Sequence, residues 1–216
     1  MSTLYLIRHG ETINNTARRN VPSTYNYEKK CPDPPLNETG VRQAHLLGQR
    51  LEHCSINVIY SSDLLRTQQT AHIINEYIGK EIIERSGLRE IDMGEMNLRS
   101  FEELKEEFPD FYNNWNRHDT DMPYPNGETG RDVLKRAVKV IKEIIDENVE
   151  NAAIVTHGGV IRVLISVFLG MPLENRFRFL LDNCGITAVQ HSIRNNMFKV
   201  ICVNDSSHLQ NIKLNI

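Results

Sequence analysis

Apolar and polar positions along this chain alternate between two rhythms. Leu4, Leu6 and Ile7 make a short apolar run that ends at Arg8 and His9 with Gly10 behind them, which reads as a buried strand leaving the core. Val41, Ala44, Leu47 and Leu51 then recur at helical spacing behind Asn37, a good helix cap. Val58 to Tyr60 predict a second strand, and Asp63 is placed to cap a helix carrying Leu64, Leu65, Ala71, Ile74 and Ile78. "KEIIE" predicts a third strand.

The middle of the chain loses this regularity. "LREIDMGEMNLRS" has no period, and Ser100 with Glu103 forms a capping box for a helix to about Phe108. A Trp-, Tyr- and Pro-containing stretch runs on to Asn126, so residues 96–128 read as an insertion. Val21 to Pro35 is rich in turn formers and reads as a surface loop. Regularity returns at Thr129, which starts a long helix through Val133, Ala137, Val138, Ile141, Ile144 and Ile145, followed by an apolar strand from Ala152 to Thr156. Ile186 to Ser192 and Met197 to Val203, joined by "IRNN", predict a closing hairpin. Strands alternating with helix-length connections imply an α/β fold with a mainly parallel sheet covered on both faces. Nothing divides the chain, and residues 1–216 are expected to be one domain.

Composition narrows the function. With 216 residues the chain can bury a core without metal or disulfide staples, and a net charge of -3 argues against a nucleic-acid partner. The longest uncharged apolar stretch, Val163 to Leu173, falls short of the roughly 20 residues that span a bilayer. No basic stretch followed by an apolar one opens the chain, so a cytoplasmic location without membrane attachment is expected. Cys31, Cys54, Cys184 and Cys202 are scattered, and the histidines lack ligand spacing; neither a metal nor another cofactor is expected.

The chemistry comes from a repeated pattern. In "AIVTHGGVIR" an apolar strand again runs straight into a histidine, His157, followed by Gly158, Gly159 and a helix around Val160 to Leu169. Ligands of open α/β sheets bind outside the carboxyl ends of strands, so both histidines belong at one edge. Gly158 and Gly159 allow close backbone approach, and the helix behind them offers free amides and a positive dipole end to an anion. Arg8 and Arg66 add two guanidiniums suited to phosphate oxygens. The same residues also fit a structural cluster, with the arginines paired to Glu11, Asp63 or Glu90. Four such groups arriving together at strand ends favour a phosphoryl site.

"RHGET" with Asn15, "DPPLNETGVRQA", "SSDLLRTQQTA", "LREIDMGE", "NGET" and "THGGVIR" resemble, in order, the landmarks of the histidine phosphatase superfamily, in its phosphoglycerate-mutase-like branch 1. The resemblance covers nearly the whole chain. It implies a three-layer α/β/α sandwich with an inserted, mostly helical cap over the site. It also implies that His9 is a nucleophile forming a phosphohistidine, and that Glu90 is the general acid and base. A neutral imidazole suits that task near pH 7, and either ring nitrogen could attack. Arg8, Arg66 and His157 then stabilise phosphoryl charge, with Asn15 and the Gly158 amide adding neutral hydrogen bonds. From the residues alone, an ion pair of Glu90 with Arg89 or Arg66 is the lesser alternative.

Two departures from the family pattern bear on substrate choice: Asn14 stands where a Trp commonly precedes Asn15, and "GEMNLRS" replaces the frequent "GEWEG". Leaving-group recognition is assigned to Val21–Pro35 and to Phe108–Tyr124, with Tyr25, Tyr27, Lys29, Lys30, Trp115 and Arg117 as candidates. The expected activity is hydrolysis of a small phosphorylated metabolite, as in α-ribazole or broad-specificity phosphatases. A cofactor-dependent phosphoglycerate mutase and a non-catalytic phospholigand-binding module are the alternatives.

Overall fold

The opening strand, β1 (Ser2–Arg8), lies inside a six-stranded sheet in the computed structural model, which describes residues 1–17, 24–99 and 101–210. After it come α1 (Ile13–Ala17), a small hairpin of β2 (Tyr25–Asn26) and β3 (Cys31–Pro32), and α2 (Glu38–Leu51). Next are β4 (Val58–Ser61), α3 (Leu65–Ile78) and β5 (Ile82–Glu84). The middle segment holds α4 (Phe101–Glu107) and α5 (Pro109–Trp115). The chain continues through α6 (Gly130–Asp146), β6 (Asn151–Thr156), α7 (Gly158–Phe168), β7 (Ile186–Ser192) and β8 (Met197–Asp205).

The strand order is β5-β4-β6-β1-β7-β8. The first four are parallel, and β7 and β8 add antiparallel at the far side as the predicted closing hairpin. Alternation along each strand sends side chains to two cores. Leu4, Leu6, Tyr60 and Ile154 pack under α6 and α7, while Ile7, Ile59, Ala153 and Val155 pack under α2 and α3. The result is the three-layer α/β/α sandwich. Each fully buried aliphatic side chain contributes about 1.5–3 kcal/mol against about 1 kcal/mol for a helix cap. Burial therefore sets which layer a helix joins, and caps set only where it starts.

Register then places the strand ends. Arg8 pairs with Thr156 and Ser61 with Val155, so β1, β6 and β4 end side by side and release His9, His157 and Ser62 at one edge. Gly10 lets the chain turn away: a Cβ there would meet the Gly40 carbonyl oxygen at 2.7 Å. Among the described residues no helix is long and apolar enough to cross a membrane.

The predicted caps divide. Asn37 caps α2 by accepting from the Gly40 amide at 2.8 Å, and Thr129 with Asp132 closes a capping box on α6. Asp63 does not cap α3. The Leu65 amide donates instead to Asp33 Oδ1 at 2.6 Å, from a residue 32 positions earlier in the chain, while the Asp63 carboxylate takes Arg89. The Ser100 capping box lies outside the described residues, as do Val21, Pro22 and Ser23 of the predicted loop. The rest of that loop is not wholly irregular, because β2 and β3 pair antiparallel. Val41, Leu65 and Val138, read as apolar-face residues, are 37%, 37% and 39% exposed. Gly40, Arg66 and Val140 take the inward positions beside them.

Candidate active site

His9 leaves β1 with its backbone gripped from both sides. Its amide donates to the Thr156 carbonyl at 3.0 Å, and its own carbonyl accepts from Asn183 Nδ2 at 2.9 Å. Its ring Nδ1 lies 2.7 Å from the Gly10 carbonyl oxygen. A carbonyl only accepts, so Nδ1 carries the proton and Nε2 keeps its lone pair. Burial first, then the Arg66 and Arg8 charges, hold this imidazole well below its usual 6.5. His9 is therefore neutral near pH 7, with a fixed ring and one nucleophilic nitrogen.

Arg8, His9, Asn15, Arg66 and Glu90 line a single cavity of about 700 Å³, within the range of small-molecule sites. His157 and Gly158 are not on its wall. His157 is fully buried immediately behind, with its ring centroid 5.2 Å from that of His9. Burial, then the Arg66 charge, the neighbouring His9 ring and the charges of Arg136 and Arg8, hold it well below the usual value, so it is a neutral ring here. Arg8 donates through Nη1 to the Leu181 carbonyl at 2.6 Å, while its buried Nε has no partner among the described residues. Arg66 donates to the Pro32 carbonyl at 3.0 Å and lies 3.9 Å from Asp33. The Asn15 amide oxygen accepts from both the amide and the hydroxyl of Thr12 at 3.0 Å, which leaves its NH2 group as the donor it can offer.

Glu90 is held by amides rather than by an ion pair. Oε1 accepts from Ile91 at 2.9 Å and from Gly159 at 3.1 Å. Arg89 is engaged by Asp63, and no salt bridge joins Arg66 to Glu90 among the described residues. The loop beneath Glu90 is clamped from α6: Arg136 donates to the carbonyls of Gly87, Arg89 and Glu90 and is paired with Glu128. That pairing gives the Glu of "NGET" its place.

Several residues escaped the sequence reading. Gly159, not Gly158, makes the close approach, since a Cβ on it would meet Glu90 Oε1 at 2.3 Å. Arg162, one turn along α7, also lines the cavity; it donates through Nε to the Phe179 carbonyl and has no carboxylate partner among the described residues. Its place in "THGGVIR" was the available signal. Asn183 and Arg136 carried none, because their partners are remote in sequence; Asp33 opens "DPPLNETGVRQA", but its bond to the Leu65 amide, 32 residues on, could not be read there. Of the suggested leaving-group contacts, Lys29, Lys30 and Trp115 line the cavity, joined by His118, Tyr124 and Phe177. Tyr25, Tyr27 and Arg117 are not among the lining residues, and Tyr27 is 81% exposed.

The family model described as "Histidine phosphatase superfamily (branch 1)" matches residues 4–206. A protein of Yersinia pestis (strain Pestoides F), "Probable phosphoglycerate mutase GpmB", is 33% identical over 192 residues, 88% of this chain and 86% of that protein. Among solved structures, Bacillus stearothermophilus YhfR superposes with a TM-score of 0.83 at 30% identity, over 97% of this chain and 100% of that one. The phosphoserine phosphatase of Entamoeba histolytica, solved with 3-phosphoglyceric acid, gives 0.81 at 27% identity over 97% and 100%.

Proposed function

This chain belongs to the histidine phosphatase superfamily, branch 1, and within it we propose a cytoplasmic phosphomonoesterase that hydrolyses a small phosphorylated metabolite. The observation that carries this reading is the His9 ring. Its Nδ1 proton is tied to Gly10, which leaves Nε2 free on a cavity shared with Arg8, Arg66 and Glu90. Four free cysteines are compatible with a reducing compartment.

In the first half-reaction, His9 Nε2 attacks phosphorus while the ester P–O bond breaks. The Glu90 carboxyl gives its proton to the leaving oxygen, and a phosphohistidine remains. In the second, the Glu90 carboxylate takes a proton from water, the resulting oxygen nucleophile displaces His9 from phosphorus, and the lone pair returns to Nε2. Phosphate leaves with Glu90 protonated again. Arg8 and Arg66 hold the phosphoryl oxygens in both steps, and fixed donors of this kind supply most of the acceleration of phosphoryl transfer. Anchoring of Oε1 by two amides keeps the carboxyl group in reach of the leaving oxygen.

The likeness to a probable phosphoglycerate mutase supports a second reading, in which the phosphoryl group returns to a bound acceptor. One experiment separates the two. Purified protein is supplied with a panel of phosphomonoesters and with 3-phosphoglycerate, with and without 2,3-bisphosphoglycerate. Free phosphate from several esters supports hydrolysis, and efficient 2-phosphoglycerate formation overturns it. Saturable binding with neither product favours a binding module. His9→Ala is expected to abolish an acid-labile phosphoenzyme.

A further inference from the structure

Two buried side chains decide how His157 carries its protons. Its Nε2 lies 2.8 Å from Ser62 Oγ, which lies 2.7 Å from Thr67 Oγ1. Thr67 Oγ1 in turn is 2.6 Å from the Leu64 carbonyl oxygen and 2.9 Å from that of Ser62. Carbonyls only accept, and two oxygens this close repel unless a proton lies between them. The single hydroxyl proton of Thr67 is therefore shared between the two carbonyls in a three-centre bond. Ser62 must then donate to Thr67, which spends its own proton as well. Ser62 Oγ is left as an acceptor, from the Leu64 amide at 3.4 Å and from His157 Nε2–H. In a neutral ring the other nitrogen, Nδ1, is then a bare lone pair.

That nitrogen is buried and has no partner among the described residues, and the same holds for Arg8 Nε at the end of the neighbouring strand. We propose that Ser62 and Thr67 are positioning residues that lock His157 as the Nε2–H tautomer, so that its bare Nδ1 takes up one proton when a phosphoryl dianion binds. The inference rests on the phosphoryl reading of the cavity.

Charges around His157 support it. Arg8 acts on it from the end of β1, Arg66 from α3 and Arg136 from α6, all disfavouring a positive charge on the ring, and His9 beside it adds to this only when it is itself protonated. The hydroxyls of Ser62, just after β4, and Thr67, on α3, are neutral, and the Glu90 carboxylate is bonded to the amides of Ile91 and, on α7, Gly159. A bound phosphoryl dianion reverses that balance, because an opposite charge favours the protonated ring. His157 lies behind the cavity wall with its ring centroid 5.2 Å from that of His9, so the dianion acts on it through its charge. The proton comes from solvent when a dianion binds; a monoanion brings its own.

The test uses the intact protein, 15N-labelled at histidine, with inorganic phosphate as the probe. Long-range proton–nitrogen spectra are recorded with and without phosphate, His157 being assigned through its contacts to Ser62. Calorimetry in two buffers of different ionisation enthalpy measures proton uptake. The expected result is an Nε2–H tautomer in the free protein and two protonated nitrogens with phosphate. Uptake should approach one proton per phosphate at about pH 8 and decline toward pH 6, where phosphate increasingly carries its own proton. Thr67→Val, which frees Ser62 to donate to His157, should cut uptake at pH 8 to less than half. An Nδ1–H tautomer in the free protein, or phosphate binding without uptake, overturns the inference alone. No phosphate binding overturns the phosphoryl reading together with it. Should Thr67→Val not fold, the spectra of the unaltered protein still decide.

Discussion

Glu90 occupies the space that a side chain on residue 159 would need: a Cβ on Gly159 would stand 2.3 Å from Oε1, and the Gly159 amide donates to that same oxygen at 3.1 Å. Glycine at this position thus both admits the carboxylate and holds it. Gly159→Ala is expected to push Glu90 out of line and lower kcat by on the order of 100-fold, the cost of about 1 Å of misplacement. Gly158→Ala is expected to cost far less, because its Cβ would find Arg8 Nε at 3.5 Å, an ordinary contact. Steady-state kinetics of the two variants on one ester makes the comparison, and equal losses would refute this account of Glu90.

Asp33, rather than Asp63, starts α3, and it also pairs with Lys29 at 2.8 Å. Asp33→Ala should therefore destabilise the protein by about 1–2 kcal/mol through the lost cap. It should also weaken phosphate binding, since Arg66 sits in the first turn of the helix that Asp33 anchors. Asp63→Ala should leave the start of α3 intact. Urea unfolding and phosphate titration of both variants check the assignment.

Arg162 and Arg176 line the same cavity but answer to different partners. Arg176 is buried against Asp121 at 2.8 Å, whereas Arg162 has no carboxylate within pairing distance among the described residues. Breaking a buried pair costs about 3–5 kcal/mol, so Arg176→Leu should act chiefly on stability. Arg162→Leu should instead raise KM for phosphomonoesters by about 10- to 100-fold, the value of a hydrogen bond to a charged group. Melting curves and kinetics on both variants separate the two effects.

His9 and His157 both have folded-state pKa values below the ordinary 6.5. The unfolded chain therefore binds more protons than the folded one just below that pH, and stability falls as pH drops through about 6.5 toward the folded values. Above that pH this contribution is fully present. A midpoint of unfolding that declines on acidification, with a shallower decline in His157→Gln, is expected. For the same reason the acid limb of activity should lie below the usual imidazole range. An acid limb near 6.5 would mean that His9 is not the group that must be neutral.

The sequence by itself determined the six strands of the main sheet, the helices that connect its parallel strands, and the two histidines at strand ends. Those features are local: alternation at Leu4, Leu6 and Ile7 or the spacing of Val133, Ala137 and Ile141 is written in neighbouring residues, and burial of one face follows from it. Asn37 was legible as a cap and Thr129 as a helix start because each bonds an amide three residues on. Only the tertiary structure decided which polar group meets which. Asp33 took the cap that Asp63 was placed to make, Gly159 rather than Gly158 took Glu90, Arg136 reached back to the Glu90 loop, and a turn at Asn183 gripped His9. Polar side chains are satisfied by whatever donor or acceptor the packed layers bring within about 3 Å, and that proximity depends on strand order and register rather than on sequence distance. His157 shows the same division: its place beside His9 follows from two strands ending together, while the proton on its Nε2 depends on hydroxyls that β4 and α3 deliver from elsewhere in the chain.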